Sequence, residues 1–224
     1  MIKAVIFDMY ETLITHFKSP LYFGAQIAAD MEIPEKKLRE IWDPTDYART
    51  IGKMTLEEVL EQILQANNRY EPELVQKIAD KRTDTKIECF RHLHEEIIPM
   101  FEELKKRGYL IGLISNCYFE EAKVIRNSVL WQYFDAPYLS CEQGTAKPEE
   151  EIFRRCVAEL GVTYAECLYV GDGGSRELET AERLGMKSVQ AVWYLQKGSK
   201  QPVFRKPEFL QAESPLEILN YLES

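Results

Sequence analysis

The chain has 224 residues, 45% of them hydrophobic and 29% charged, values of a folded globular protein with room for one large core, or a core plus a smaller inserted domain. A formal net charge of −9, from 37 acidic and 28 basic residues, opposes a phosphodiester backbone and argues against nucleic-acid binding, yet leaves room for a small phosphorylated molecule held by local cations. Five cysteines without C-x-x-C spacing, and no stretch approaching the roughly 18 apolar residues of a membrane span, lead us to expect a cytoplasmic protein with reduced thiols and no membrane partner, acting as a monomer or homodimer.

Lys3–Phe7 (KAVIF) is a short apolar run, the pattern of a strand buried on both faces and too short for a signal-peptide core. No comparable strand follows between about Ser19 and Leu93. Thr55-Leu-Glu-Glu58 matches a capping box, with Leu56, Val59, Leu60, Ile63 and Leu64 at helical spacing, and Glu73–Ile87 reads as another helix. After Pro99 the pattern changes. Phe101–Lys106 predicts a helix with Gly108 just past its end, Tyr109–Ile114 a second buried strand, Phe119–Ile125 a helix and Ala136–Ser140 a third strand. Pro148 sits where a first helical turn accepts proline, and Ile152, Phe153, Cys156, Val157 and Leu160 form an apolar stripe ending at Gly161. Cys167–Val170 is a fourth strand, Ser175–Leu184 a helix closed by Gly185, and Lys187–Val192 a fifth strand; Ser214-Pro-Leu-Glu217 caps a final helix. Strands alternating with helices imply a doubly wound α/β fold with a mostly parallel sheet. The helical stretch between the first two strands is too long for a plain crossover. It reads as an inserted cap, residues 17–93, on a core of residues 1–16 and 94–224.

Ligands of such sheets bind at the carboxyl ends of the strands. The first strand ends at Asp8, a carboxylate placed as nucleophile or metal ligand. The second ends at Ser115-Asn116 before a helix start, suited to an oxyanion, although both residue types also cap helices. Past the third comes Gly144-Thr-Ala-Lys147-Pro148, whose lysine is placed to offset negative charge over the strand ends, or simply to be solvated. The fourth ends at Gly171-Asp172, with Glu177 five residues on; two acids so placed can face one hard cation. Each reading is weak alone, and their joint occurrence at four strand ends is what carries weight.

The set VIFDMYETL, LISN, GTAKPEEEIF and YVGDGGSRE resembles the four motifs of the haloacid dehalogenase-like (HAD) hydrolases, and the helical insert resembles their type 1 cap. The resemblance spans essentially the whole chain. It implies a Rossmann-like core with a helical lid, a magnesium ion, and a phosphate ester of a small molecule as substrate. By it, Asp8 is the nucleophile, Ser115 the phosphate-binding hydroxyl and Lys147 the charge-balancing lysine. Asp172 and Glu177 are the acidic pair at Mg²⁺, joined by the backbone carbonyl of Tyr10, and Tyr10, Thr12, Ser115 and Asn116 contact substrate.

Two departures pull in opposite directions. The family's phosphatases carry a second aspartate two residues after the nucleophile as general acid; here Tyr10 stands there, as in the family's haloacid dehalogenases, whose halide leaves without a proton. Glu11 either supplies that proton or points into solvent. The acidic pair, in contrast, is what a magnesium site needs and a metal-free dehalogenase lacks. A Mg²⁺-dependent phosphatase acting through an aspartyl-phosphate is therefore the favoured expectation. A metal-independent 2-haloacid dehalogenase, with a cap cation such as Arg49 at the carboxylate or halide, is the first alternative, with a solvated Arg49 as the plain reading. A regulatory or binding module is the second. His92 and His94 read as surface residues, Cys117 as a packed thiol, and Tyr22, Phe23, Trp42 and Tyr47 as core of the cap.

Overall fold

A computed structural model describes residues 1–195 and 203–222. In chain order the elements are β1 (Ala4–Phe7), α1 (Gly24–Asp30), α2 (Glu35–Trp42), α3 (Asp46–Thr50), α4 (Leu56–Ala66), α5 (Pro72–Cys89), α6 (Ile97–Lys106) and β2 (Leu110–Ser115). They continue with α7 (Phe119–Arg126), β3 (Ala136–Leu139), α8 (Ser140–Gln143), α9 (Glu150–Leu160), β4 (Cys167–Gly171), α10 (Glu177–Leu184), β5 (Lys187–Ala191) and β6 (Leu210–Ala212). All six strands are parallel, in the order β3-β2-β1-β4-β5-β6, so β1 lies inside the sheet with β2 and β4 as neighbours.

The apolar β1 run follows from that position, since both of its faces are covered. Val5 and Phe7 join a core with α6 and α7, whereas Ala4 and Ile6 join a core with α9 and α10. Alternation along one strand thus feeds two layers, which makes the molecule a Rossmann-like α/β sandwich. A third cluster, including Ile27, Leu38, Leu60 and Ile78, is built from the helices between β1 and β2.

Several boundaries differ from expectation. Pro148 does not open a helix: its bond to Lys147 is cis, Glu149 is the N-cap, and α9 begins at Glu150. The stretch after Ser214 is a 3₁₀ helix (Pro215–Tyr221) without a side-chain cap from Ser214, whose side chain engages Glu96 instead, while the Glu217 carboxylate accepts from the Glu213 N–H. β6 has only three residues, too few to carry a periodic signal.

Candidate active site

Asp8 is the first residue past β1, and its N–H donates to the Val170 carbonyl at 2.9 Å. The chain then turns at once. Leu13 and Ile14 both donate to the Met9 carbonyl, Glu11 adopts φ 60°, and the Trp193 indole N–H holds the Thr12 carbonyl at 2.8 Å. This loop is therefore pinned from the other half of the sheet.

Lys147 reaches back across the strand ends. Its buried Nζ donates to Asp8 Oδ1 at 2.5 Å and to Glu177 Oε2, and lies 3.4 Å from the Tyr169 hydroxyl. Asn116 fixes the lysine's backbone from both sides: its Nδ2 donates to the Lys147 carbonyl and its Oδ1 accepts from the Lys147 N–H, each at 2.8 Å. Glu177 Oε1 accepts from the Gly173 N–H at 3.2 Å, and Asp172 Oδ1 from the Gly174 N–H at 2.9 Å. Gly171 is required here, because a Cβ would stand 2.1 Å from Glu177 Oε1.

Ligand oxygens of Asp8, Asp172 and Glu177 lie within 4.8 Å of one another, and all three residues are buried. Burial raises the Asp8 carboxyl well above the usual carboxylate range, with Glu177 and Asp172 adding to the effect and Lys147 opposing it. Among the described residues Lys147 is the ammonium paired with Asp8 and Glu177, and a group of three buried carboxylates is the environment a hard divalent cation relieves. The donor set therefore fits Mg²⁺. Glu177 is the exception in detail: both of its oxygens already hold protein donors, which suits a contact through water better than direct ligation.

Ser115 and Thr12 are fully buried, and their hydroxyls have no protein partner. The Tyr10 hydroxyl is likewise buried and unpartnered, while its ring stacks on His16 at 4.6 Å between centroids. Buried hydroxyls are normally bonded, so Ser115 at the end of β2 and Thr12 in the loop after Asp8 mark places where something else binds, while the Tyr10 hydroxyl lies on the Glu121 side of the cavity.

A cavity of about 490 Å³ opens between the sheet and the inserted helices, with Tyr10, Asn116 and Ser175 on one side and Phe23, Trp42 and Lys86 on the other. Tyr22 lies in the core of the inserted helices and Trp42 packs against it while also lining the cavity; Phe23 lines the cavity, and Tyr47 is 56% exposed, its hydroxyl donating to Glu149. Two further expectations fail. Glu11 does not point into solvent: it is buried, accepting from the Thr15 hydroxyl at 2.5 Å and the His16 N–H at 2.9 Å. Arg49 is not solvated but 1% exposed, its guanidinium 4.0 Å from the Trp42 ring centroid and 4.6 Å from that of Tyr118. Cys117 is buried, a packed thiol, and His92 lies on the surface beside Glu88.

Sequence reasoning overlooked His16, Tyr169, Arg82 and Lys86. A phenol inside a buried strand needs a polar partner, which was the available signal for Tyr169. Arg82 and Lys86 gave none, because cations on a helix normally mark its solvated face.

The model of the haloacid dehalogenase-like hydrolase family matches residues 2–185. A glyceraldehyde 3-phosphate phosphatase of Methanopyrus kandleri is 28% identical over 204 residues, covering 85% of this chain and 84% of the relative. The fold is shared with a 2-haloacid dehalogenase of Pseudomonas syringae (TM-score 0.68, 20% identity, 99% of this chain and 98% of that one). It is shared also with a HAD family enzyme of Bacteroides thetaiotaomicron solved with magnesium and inorganic phosphate (TM-score 0.62, 18% identity, 85% and 94%). Phosphatases and dehalogenases thus share this scaffold, and at these identities the structures speak for the fold alone. With the match running from before β1 into the end of α10, the chain belongs to the haloacid dehalogenase-like hydrolases.

Proposed function

We propose that the protein is a magnesium-dependent phosphatase of small phosphorylated metabolites, with residues 17–93 as a cap over the core. The observation that carries this reading is the buried group of Asp8, Asp172 and Glu177, in which Lys147 pairs with Asp8 and Glu177. A dehalogenase has no need of such a cluster. The relative named as a glyceraldehyde 3-phosphate phosphatase supports the same class.

Asp8 Oδ2, which has no partner among the described residues, attacks phosphorus in line as the ester P–O bond breaks, and the leaving oxygen departs as the anion, taking its proton from water. Water then attacks the aspartyl-phosphate at phosphorus, freeing Asp8 and inorganic phosphate. Lys147 steadies Asp8 and offsets charge on the phosphoryl oxygens, while the unpartnered hydroxyls of Ser115 and Thr12 are available to donate to them. Asn116 keeps Lys147 in place through its backbone. Magnesium, when bound to Asp8, Asp172 and the Tyr10 carbonyl, with Glu177 through water, supplies charge neutralisation to the transferred group. Cap closure excludes water and selects substrate.

The test is hydrolysis of p-nitrophenyl phosphate. We expect turnover with Mg²⁺, its reversible loss in EDTA, and no turnover for Asp8→Asn. Tyr10 favours one other reading, a dehalogenase; chloride release from 2-haloacids that persists in EDTA would establish it and overturn ours. Against it stands the cavity of about 490 Å³, within the usual range for larger organic ligands and far more than a haloacid of about six heavy atoms fills.

A further inference from the structure

The cavity wall contributed by α5 holds two cations that the proposed chemistry at Asp8 does not use. Arg82 and Lys86, one helical turn apart, are each 3% exposed and both line the cavity. Both converge on a single oxygen, Glu121 Oε1, from α7: Lys86 Nζ at 2.8 Å and Arg82 Nη2 at 3.3 Å. The other Glu121 oxygen accepts from the Tyr118 N–H. Arg82 Nε donates to Glu120 at 2.8 Å and its Nη1 to the Tyr22 carbonyl at 3.4 Å.

A donor count shows what is left over. A guanidinium has five N–H groups and Arg82 engages three, leaving two. An ammonium has three; Lys86 engages one with Glu121 and a second with His16 Nε2 at 3.4 Å, where the lysine must be the donor because it has no lone pair. Three charged donors of the two cations are therefore uncommitted among the described residues; each Glu121 oxygen already holds a donor, and the one unpartnered acceptor of the cluster is Glu120 Oε2. The Tyr10 and Phe23 rings flank Lys86 at 5.3 and 5.4 Å, limiting the water that can reach it. Asn116, which holds the Lys147 backbone, and Ser175, three residues past Asp172, line the same cavity, so it runs from the loops that carry the carboxylate cluster to this wall.

We propose that Lys86 and Arg82 form a subsite for a second anionic group, a carboxylate or a further phosphoryl group, on the phosphate ester whose phosphoryl group Asp8 receives; this rests on the phosphatase reading above. Charge-assisted hydrogen bonds in a dry pocket are the strong ones, and a neutral substituent forfeits them. The substrate class narrows accordingly to phosphate monoesters carrying an acidic group at their far end.

The experiment compares 4-(carboxymethyl)phenyl phosphate and 4-(phosphonomethyl)phenyl phosphate with the N-methylamide of the first, the methylene keeping the leaving group's acidity alike. We expect KM for at least one acidic ester to be about 10- to 100-fold below that of the amide, the range of one charge-assisted hydrogen bond. In Lys86→Met that ratio should fall toward one, and Lys86→Arg should restore it. The carboxylate and phosphonate arms decide which anion fits. The corresponding phosphonates, titrated calorimetrically without metal, should show the same order of affinity. Equal KM values for acidic and amide esters overturn the subsite while leaving the phosphatase standing. Absence of all turnover overturns the phosphatase, and the metal-free titration then still decides the subsite: equal affinities refute it.

Discussion

Asp8 and Tyr10 leave β1 on one turn, yet their side chains meet different surroundings. Asp8 is held against Lys147, whereas the Tyr10 hydroxyl is buried without a partner, and burial raises it well above the ordinary phenol range. Glu11 offers no substitute proton donor, since both of its oxygens already accept from Thr15 and His16. Under the phosphatase reading, esters with acidic leaving groups should react, and alkyl phosphates should lag by about 10²–10⁴-fold. Tyr10→Asp, which restores a carboxyl group at that place, should narrow the gap between alkyl and aryl phosphates in kcat/KM; an unchanged ratio would refute this account. Asp8, Ser115, Lys147 and Asp172 were legible in the sequence because strand ends can be located from apolar runs and a parallel sheet brings those ends together. Arg82, Lys86 and His16 were not, because their place at the cavity depends on how α5 docks against α7, which no local pattern encodes. Arg49 was misjudged for the same reason: its two aromatic partners come from α2 and from the residue before α7.

Helices and strands followed their local signals most closely where several signals agreed. At α4 the Thr55 hydroxyl accepts from the Glu58 N–H at 3.2 Å and the Glu58 carboxylate accepts from the Thr55 N–H at 2.7 Å, the reciprocal pair its sequence announces. Thr55→Ala should therefore destabilise the protein by about 1 kcal/mol, read as a lower denaturant midpoint with an unchanged slope. Signals that stood alone failed. A proline at position 148 was compatible with a helix start, but nothing beside it confirmed one, and α9 begins two residues later. β6 is three residues long and exists because β5 offers it an edge, a tertiary cause with no trace in composition.

Across the whole molecule, acid response gathers contributions from many buried groups, and His16 stands out among them. Burial, followed by the nearby Lys86 cation, lowers its pKa from 6.5 to about 3. The unfolded chain thus binds a proton that the folded chain refuses, so this residue costs stability as the pH falls from 6.5 toward 3 and nothing above that window. Between pH 7 and 5 the cost is on the order of 1–2 kcal/mol. His16→Gln should accordingly lose less thermal stability over that interval than the parent protein, measured by scanning calorimetry; an equal loss would place acid sensitivity elsewhere. Glu121 acts in the same direction at lower pH, its carboxyl held down to about 2 by Lys86 and Arg82 against the opposing effect of burial.

The internal position of β1 bears on how the chain comes to be made. Its partners are Leu110 on one side and Cys167 on the other, in a chain of 224 residues. During synthesis the strand leading to Asp8 emerges before both of its neighbours and gains the second only once Cys167–Gly171 has appeared. Until then Ala4–Phe7 presents a bare hydrogen-bonding edge flanked by apolar side chains, open to pairing with other nascent chains. Interrupted translation accordingly leaves an adhesive fragment rather than a smaller enzyme.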